Sequence, residues 1–398
     1  MARAPEAWTP AARRALPAMR AWRVAFHQEP ELSLEEGRTR DKIVAALTEL
    51  GIPHRTFEGF PAVVGLIPGE SDGPVVALRA DMDGLPVTEK TELSYRSRYP
   101  DRMHACGHDV HMACLLGAAA MMTRGGRRPA GPVKLLFQPA EEEGLRGGAL
   151  PLIERGCLED PSVDYVVGQH VEPNLPLGQV GWKVGPFMAA ADFFRITVLG
   201  RGGHAASPHQ GPDAIVVASE IVNGLQALVS RVRDPLDPVV VSVGSIHGGT
   251  RNNILPSEVV LEGTVRTFRP ATRDLIDRTL HRRVRSLAAS MGARARVEYH
   301  RGYPTLVNSA AATHVVADAL RVELGRNHCV EVANPVMGAE DFARYLERVP
   351  GTFLHLGVGE PNRPASLHGA TFAPDERALV VGAATLAAAA DALQRSPP

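Results

Sequence analysis

Cysteine is scarce in this chain: Cys106, Cys114, Cys157 and Cys329 are the only four among 398 residues. So few argue against a disulfide framework of the secreted kind. Net charge is scarce as well. Lys and Arg number 43 against 44 Asp and Glu, a formal balance of −1. That balance supplies no long-range field for nucleic acid or for an anionic membrane. Long apolar runs are missing too. The most apolar stretches, around 113–122 and 378–390, fall short of a membrane span of roughly 18–20 residues. Residues 1–20 carry Arg3, Arg13, Arg14 and three prolines with no apolar stretch behind them, which does not read as a signal peptide. The expectation is a cytoplasmic protein with no nucleic-acid or membrane partner.

What is present is ordinary for a soluble globular protein: 44% hydrophobic and 22% charged residues. At roughly 100–200 residues per domain, the length predicts two or three domains with ample core. Apolar residues recur at helical spacing over 11–27 and 34–50, and Gly51 is a plausible stop. Short apolar runs at 75–80, 133–137 and 163–167 predict buried strands, and 110–122 a helix. This alternation predicts an α/β domain with helices on both faces of a mostly parallel sheet. From about residue 186 the texture changes. Strands at 193–199 and 239–245 flank a helix at 214–232, and strands at 259–268 and 295–299 flank a helix at 271–291. Two such units predict a small α+β sandwich of the split βαβ kind. Buried-strand character returns at 352–358, followed by an Ala-rich helix. The predicted organisation is one domain from 1–185 and 303–398, with 186–302 inserted.

Polar clusters follow the predicted strands, where open α/β sheets place their ligands. They are Arg79-Ala-Asp81-Met-Asp83, His104-Ala-Cys106-Gly-His108-Asp109, Gln138-Pro-Ala-Glu141-Glu142-Glu143 and Gly168-Gln-His170. A fifth, Ser366-Leu-His368-Gly, lies in a loop after the last strand. Cys106 and His108 open a helix, whose dipole favours thiolate, and thiolate with neutral imidazole suits zinc and its neighbours. The same pair also reads as a buried thiol beside a solvent-facing imidazole, or as a Cys–His nucleophile pair. Three successive carboxylates at 141–143 usually form a solvated turn. Here they emerge straight from an apolar strand, where like charges need a compensating cation. A single His at a strand end, as at His170, is more often structural. Asp81 and Asp83 share one face of an extended segment, as carboxylates that orient metal-bound imidazoles do. Singly these signals are weak. Jointly they put Cys, His, Glu, His and His at one edge of one sheet.

These residues resemble the zinc-type metallopeptidase and deacylase family of aminoacylase, acetylornithine deacetylase and glutamate carboxypeptidase. The closer resemblance is to the branch of hippurate hydrolase and the plant auxin–amino acid conjugate hydrolases. The matching segments are RADMDGLP (79–86), MHACGHDVHMA (103–113), FQPAEE (137–142), GQHV (168–171), GGHAASPHQGPDAI (202–215), NNILP (252–256), GTVRTF (263–268), MGAEDF (337–342) and SLHGATF (366–372). They run in family order over nearly the whole chain. Two departures stand out: Glu143-Gly-Leu-Arg146 replaces a usual run of glycines, and Asp81 stands where other branches place His.

The resemblance implies a mostly parallel-sheet, two-metal catalytic domain (1–185 and 303–398) and an inserted α+β sandwich lid or dimerisation domain (186–302). It implies Cys106, His108, Glu142, His170 and His368 as metal ligands and Glu141 as general base. It implies His204 as a group that assists at the substrate carbonyl, commonly from the other subunit. The expected cofactors are two divalent ions: Zn, Mn, Co or Ni. The expected reaction is hydrolysis of an N-acyl amino acid, hippurate-like or N-acetyl, by a homodimer or higher homo-oligomer. The alternative within the family is a dipeptidase or carboxypeptidase. A cysteine hydrolase and a non-enzymatic metal binder are the more distant rivals. Asn253 and Arg266 flank the turn around Pro256 and Ser257. Paired across an antiparallel hairpin they could face one side and hold the substrate carboxylate, which the planar Arg fork matches. Family members related to glutamate carboxypeptidase use Asn and Arg at the matching places. Arg266 otherwise reads as one half of a surface ion pair.

Overall fold

A computed structural model of the chain describes residues 7–124, 127–360 and 366–396. The chain divides into two compact units. The first comprises Met1–Phe187, Val307–Pro335 and Asp341–Pro398, the second Met188–Leu306 and Val336–Glu340. The short second segment is tied to the rest of its unit by the Ala189 N–H, which donates to the carbonyls of Val336 (3.1 Å) and Gly338 (2.8 Å).

The first unit is built on an eight-stranded sheet. In spatial order its strands are His54–Phe57, Phe60–Ile67, Val133–Gln138, Val76–Asp81, Tyr165–Pro176, Gly351–Gly359, Val180–Trp182 and Cys329–Glu331. The four from Val133–Gln138 to Gly351–Gly359 are mutually parallel. Strands Val76–Asp81 and Val133–Gln138 are buried along their whole length. A continuous apolar run without alternation is what a strand covered on both faces requires. Helices Trp8–His27, His108–Arg124 and Arg377–Arg395 pack into one core with the sheet. Gly117 lets two of them approach closely, since a Cβ there would lie 2.2 Å from the sulfur of Met19.

Sequence patterning under-read this unit, missing His54–Phe57, Val180–Trp182 and Cys329–Glu331 among others. The strand expected at 163–167 runs from Tyr165 to Pro176, so His170 lies within a strand and not after one. Its extension depends on pairing with Gly351–Gly359, in a register that sets His170 beside His355. Phe60–Ile67 and helix Ala310–Glu323 carry no motif and were not anticipated.

The second unit is a four-stranded antiparallel sheet, ordered Val239–His247, Glu258–Thr267, Ala190–Leu199 and Arg294–Arg301. Helices Ala214–Arg231 and Pro270–Ser290 contribute Val217, Ile221, Leu225, Ile276, Leu280 and Val284 to a core shared with Phe194, Ile196 and Val198. Asp213 caps the first of these helices by accepting the Ile215 N–H at 2.9 Å. Helices Ala214–Arg231 and Arg377–Arg395 are long and apolar enough to cross a membrane. Each nevertheless gives its apolar residues to the core of its own unit.

A buried charge cluster anchors the first helix of the first unit. His27 is 1% exposed. Its Nδ1 lies 3.0 Å from Asp109 and its Nε2 3.1 Å from Glu89. Arg23 donates to the same Asp109 at 3.1 Å. Burial alone would lower the His27 pKa, but Asp109 and Glu89 outweigh it and raise the value to about 9. Folding therefore favours the proton on His27, and its contribution is complete below about pH 6.5. That contribution fades as pH rises through about 9, and its upper size is about 3 kcal/mol. The melting temperature of the wild type should fall between pH 6.5 and 9, and His27→Gln should flatten that slope. An unchanged slope in the variant would show that another group carries it.

Candidate metal centre

Four segments of the first unit bring their polar residues to the carboxyl edge of the parallel strands. Asp81 ends its strand in register with Gln138, and Asp83 follows two residues later. The Cys106 loop turns into the helix that begins at His108. Gly107 makes that turn with φ +87°, and a Cβ on it would lie 2.6 Å from Val171. Glu141 and Glu142 occupy a single 3₁₀ turn after Ala140, a left-handed residue at φ 58° and ψ 42°. His368 is also left-handed, at φ 63°, in a loop whose N–H donates to the Ala105 carbonyl at 2.9 Å.

Asp83 organises these pieces. Its carboxylate accepts from the Ser33 hydroxyl (2.7 Å), the Glu141 N–H (3.1 Å) and the Glu142 N–H (3.0 Å), and it lies 3.2 Å from His108 Nδ1. With Nδ1 engaged, the other nitrogen of His108 is buried with no hydrogen-bond partner among the described residues, 3.7 Å from Asp81, as a ligand nitrogen awaiting a cation would be. His170 is oriented in the same manner. Its Nδ1 donates to the Val171 carbonyl at 2.7 Å, and its Nε2 lies 3.2 Å from Cys106 Sγ. His368 Nε2 lies 3.1 Å from Glu142 Oε1. Donor atoms of Cys106, Glu142 and His368 fall within 4.8 Å of one another, and so do those of His108, Glu141 and Glu142. The five residues anticipated as ligands therefore converge, and Glu142 belongs to both groups.

His111 also approaches this cluster, with Asp81, His108 and His170. Both of its nitrogens are spoken for. Nδ1 lies 2.6 Å from Asp81, and Nε2 accepts the Val171 N–H at 2.9 Å. His111 thus braces Asp81 against the His170 strand and has no lone pair left for a metal. Asp81 is in turn held by Arg79 Nη1 at 2.7 Å, while Arg79 Nη2 and Nε reach Asp341 (2.8 Å) and Gln138 (3.0 Å). Arg79, Gln138, His111 and Asp341 lie inside recognised motifs but were not singled out. Ser33 lies in no motif, and only its tertiary contact reveals it.

The donor chemistry fits a divalent cation. Burial, then Glu142 and Glu141, pushes the Cys106 thiol well up. This corrects the expectation that the helix dipole would favour thiolate here. A dipole of about half a charge loses to burial beside two carboxylates, so a metal is needed to hold the sulfur ionised. The same shift weighs against the cysteine-hydrolase reading, because a reactive thiol needs a lowered pKa. The imidazole facing Cys106 is His170, not His108, and burial lowers its pKa as well. His108 moves the other way. Burial opposes its charge, but Asp81, Asp83 and Glu142 raise it to about 10, so this cluster of anions draws positive charge.

The remaining anticipated residues lie in the second unit. His204 is exposed, in the two-residue strand Gly203–His204, which pairs with Ile254–Leu255. Its Nδ1 accepts the Ala206 N–H at 3.0 Å, which leaves Nε2 as the proton-bearing nitrogen. Asn253 adjoins it, its carbonyl accepting the Ala205 N–H at 3.1 Å. Arg266 is half-buried near the far end of Glu258–Thr267, opposite Val240 and Ala191. The hairpin expected to pair Asn253 with Arg266 is therefore not formed. Residue 266 pairs with other strands and lies eight residue steps along its strand from Glu258, about 26 Å at ~3.3 Å per step. Nor does Arg266 hold a carboxylate of its own. Asp192, which raises its pKa against the lowering effect of burial, is gripped by Arg273 at 2.9 and 3.0 Å and by Tyr299 at 2.8 Å.

An α/β sheet with carboxylates, imidazoles and one thiol at its carboxyl edge defines a metallohydrolase class of site. The chain belongs to peptidase family M20/M25/M40, whose model matches residues 77–392. An N-acetyl-L-cysteine deacetylase from Bacillus subtilis is 42% identical, over 89% of this chain and 83% of the relative. Thermostable carboxypeptidase 1 from Saccharolobus solfataricus is 39% identical, over 90% and 91%. An IAA-amino acid hydrolase from Arabidopsis thaliana is 37% identical, over 90% and 81%. The crystal structure of a dinuclear metal-binding peptidase of the M20 family from Bacillus subtilis superposes with a TM-score of 0.82 at 33% identity, covering 97% of this chain and 99% of that one.

Metal analysis of purified protein should return two divalent ions per chain. Glu142→Gln should lower that content more than any other single change in the cluster, because Glu142 lies in both donor groups. Full occupancy in that variant would remove Glu142 from the ligand set.

Proposed function

We propose that the chain is a metal-dependent amidohydrolase that cleaves N-acyl amino acids to a carboxylic acid and a free amino acid. The observation that carries this reading is the position of Glu141. It is a buried carboxylate next in sequence to Glu142, within 4.8 Å of His108 and Glu142 donor atoms. A protein that only bound metal would have no use for a base beside its ligands. Cys106, His108, Glu142, His170 and His368 are assigned as the ligands. When bound, two divalent ions supply a water of lowered pKa and polarise the substrate carbonyl. Zn, Mn, Co and Ni all suit one thiolate with imidazoles and carboxylate.

Glu141 takes the proton of the attacking water and delivers it to the leaving amine. Asp83 keeps His108 in the tautomer that offers Nε2, and its grip on two backbone N–H groups holds Glu141 and Glu142 in place. His204 donates Nε2–H to the oxyanion. Arg266 and Asn253 read the amino acid carboxylate. His204 and Asn253 share one tip of the second unit and Arg266 lies a strand's length away, so one unit cannot bring all three to one substrate. This supports a dimer in which the tip of one subunit completes the partner's site. The Val239–His247 edge strand, which carries exposed Ile246, and the helix packed on it, which carries exposed Ile215 and Val216, form the surface we assign to that dimer. The second unit is accordingly read as the lid and dimerisation domain. Four free cysteines, all buried, fit a cytoplasmic setting.

The carboxypeptidase among the relatives gives a dipeptidase or carboxypeptidase reading its own support. A panel of hippurate, N-acetyl amino acids and dipeptides decides between them, and turnover confined to dipeptides would overturn the amidohydrolase assignment. On the preferred substrate, Glu141→Gln should lower kcat by roughly 10²–10⁴ with both metals retained. Metal loss in that variant would instead make Glu141 a ligand. Arg266→Ala should lower kcat/KM by about tenfold to a hundredfold, as loss of a charge-assisted hydrogen bond of roughly 1.5–3 kcal/mol predicts. The loss should shrink when the substrate carboxylate is blocked as a primary amide. Mixed His204→Ala and Glu141→Gln subunits should recover part of the activity, and inactive mixtures with verified subunit exchange would exclude the shared site.

A further inference from the structure

One buried carboxyl beside the metal centre has no part in the mechanism above. Glu36 follows the Ser33 loop and precedes helix Gly37–Glu49. Its side chain is fully buried. Oε1 accepts the Ala140 N–H at 2.8 Å, and Oε2 is buried with no partner. Burial, then Asp83, raises its pKa to about 9.

Its hydrogen bond to Ala140 falls at a costly place. Ala140 is left-handed (φ 58°, ψ 42°), a conformation that residues other than glycine adopt rarely and with strain. This is the residue that turns the chain from the Val133–Gln138 strand into the Glu141–Glu142 turn. Three consecutive N–H groups, of Ala140, Glu141 and Glu142, are thus held by two buried carboxyls, Glu36 and Asp83. The last two are donated to the residue that also orients His108. The first is donated to a residue whose carboxyl has no hydrogen bond to an assigned ligand among the described residues.

We propose that Glu36 is a positioning residue for Glu141: its hydrogen bond holds Ala140 in the left-handed conformation that aims the base. The proposal rests on the assignment of Glu141 as base. It separates two functions on adjacent residues, with Asp83 serving the metal and the turn together and Glu36 serving the turn alone. Loss of Glu36 therefore loosens the aim of Glu141 without removing a metal-binding group. A neutral amide can accept the same N–H, so glutamine preserves what alanine removes. A glycine at 140 takes the left-handed conformation without strain, so it relieves part of the need for the clamp.

The test uses metal-loaded full-length protein, with metal content measured on every variant. Glu36→Ala should lower kcat at least tenfold, with KM and metal content near those of the wild type. Glu36→Gln should stay within about threefold of the wild-type kcat, and Glu36→Ala/Ala140→Gly should recover part of the loss. If Glu36→Ala fails to fold, Glu36→Asp withdraws the acceptor by one methylene, and the same drop in kcat at full metal content is expected. Wild-type kcat in a folded, metal-loaded Ala or Asp variant would overturn the proposal, and so would a loss that tracks metal content. Failure of the wild type to hydrolyse any member of the substrate panel would overturn the functional reading instead, which keeps the two outcomes apart.

Discussion

Four donors converge on one buried carboxylate, that of Asp83: the Ser33 hydroxyl, the Glu141 and Glu142 amides and His108 Nδ1. The rest of the site depends on this convergence. A carboxylate in a protein interior is costly unless its lone pairs are satisfied, and Asp83 is satisfied only if a strand end, a helix start, a 3₁₀ turn and a loop all arrive together. Each of the four segments contributes little alone. Fixed to one another through Asp83, they place an imidazole nitrogen and two carboxylates at one edge of the sheet.

Around that hub the polar groups fall into concentric roles. His108, His170, Cys106, Glu142 and His368 gather their donor atoms at one place. Behind them, Asp81, His111, Arg79, Gln138 and Asp341 form a buried chain of hydrogen bonds that reaches back into the sheet. The clustering of negative charge is unfavourable for the protein alone. His108 responds by taking up charge, and the Cys106 thiol by holding its proton. Both responses are reversed when cations supply the missing positive charge. In physical terms the protein is folded around a charge that it does not itself carry.

Much of this was legible in the linear sequence. A buried parallel strand must be a short apolar run, so Val76–Asp81 and Val133–Gln138 announced themselves, and the residues after them were candidates because strand ends face the crevice. Asp81, Glu141 and Glu142 were singled out in that way, and His108 with Cys106 as a pair that opens a helix. His170 was found too, though for a partly mistaken reason, since it sits inside a strand whose length is set by pairing with Gly351–Gly359. Phe60–Ile67, which begins with a Phe-Pro pair, was missed because an antiparallel strand beside a parallel block shares no motif with it.

The sequence by itself determined the donor chemistry: which residue types exist, in what order, and that thiol, imidazole and carboxylate recur after apolar strands. Composition and strand patterning are local properties, and local properties survive in a linear reading. Tertiary structure alone decided the partners. It set His170 rather than His108 against Cys106, occupied both nitrogens of His111, and separated Asn253 from Arg266 by the length of a strand. It also brought Glu36 to a turn more than a hundred residues away in the chain, and Ser33 to Asp83 across 50 residues. Those outcomes depend on sheet register and on the satisfaction of buried hydrogen bonds between distant segments, and no spacing along the chain encodes them.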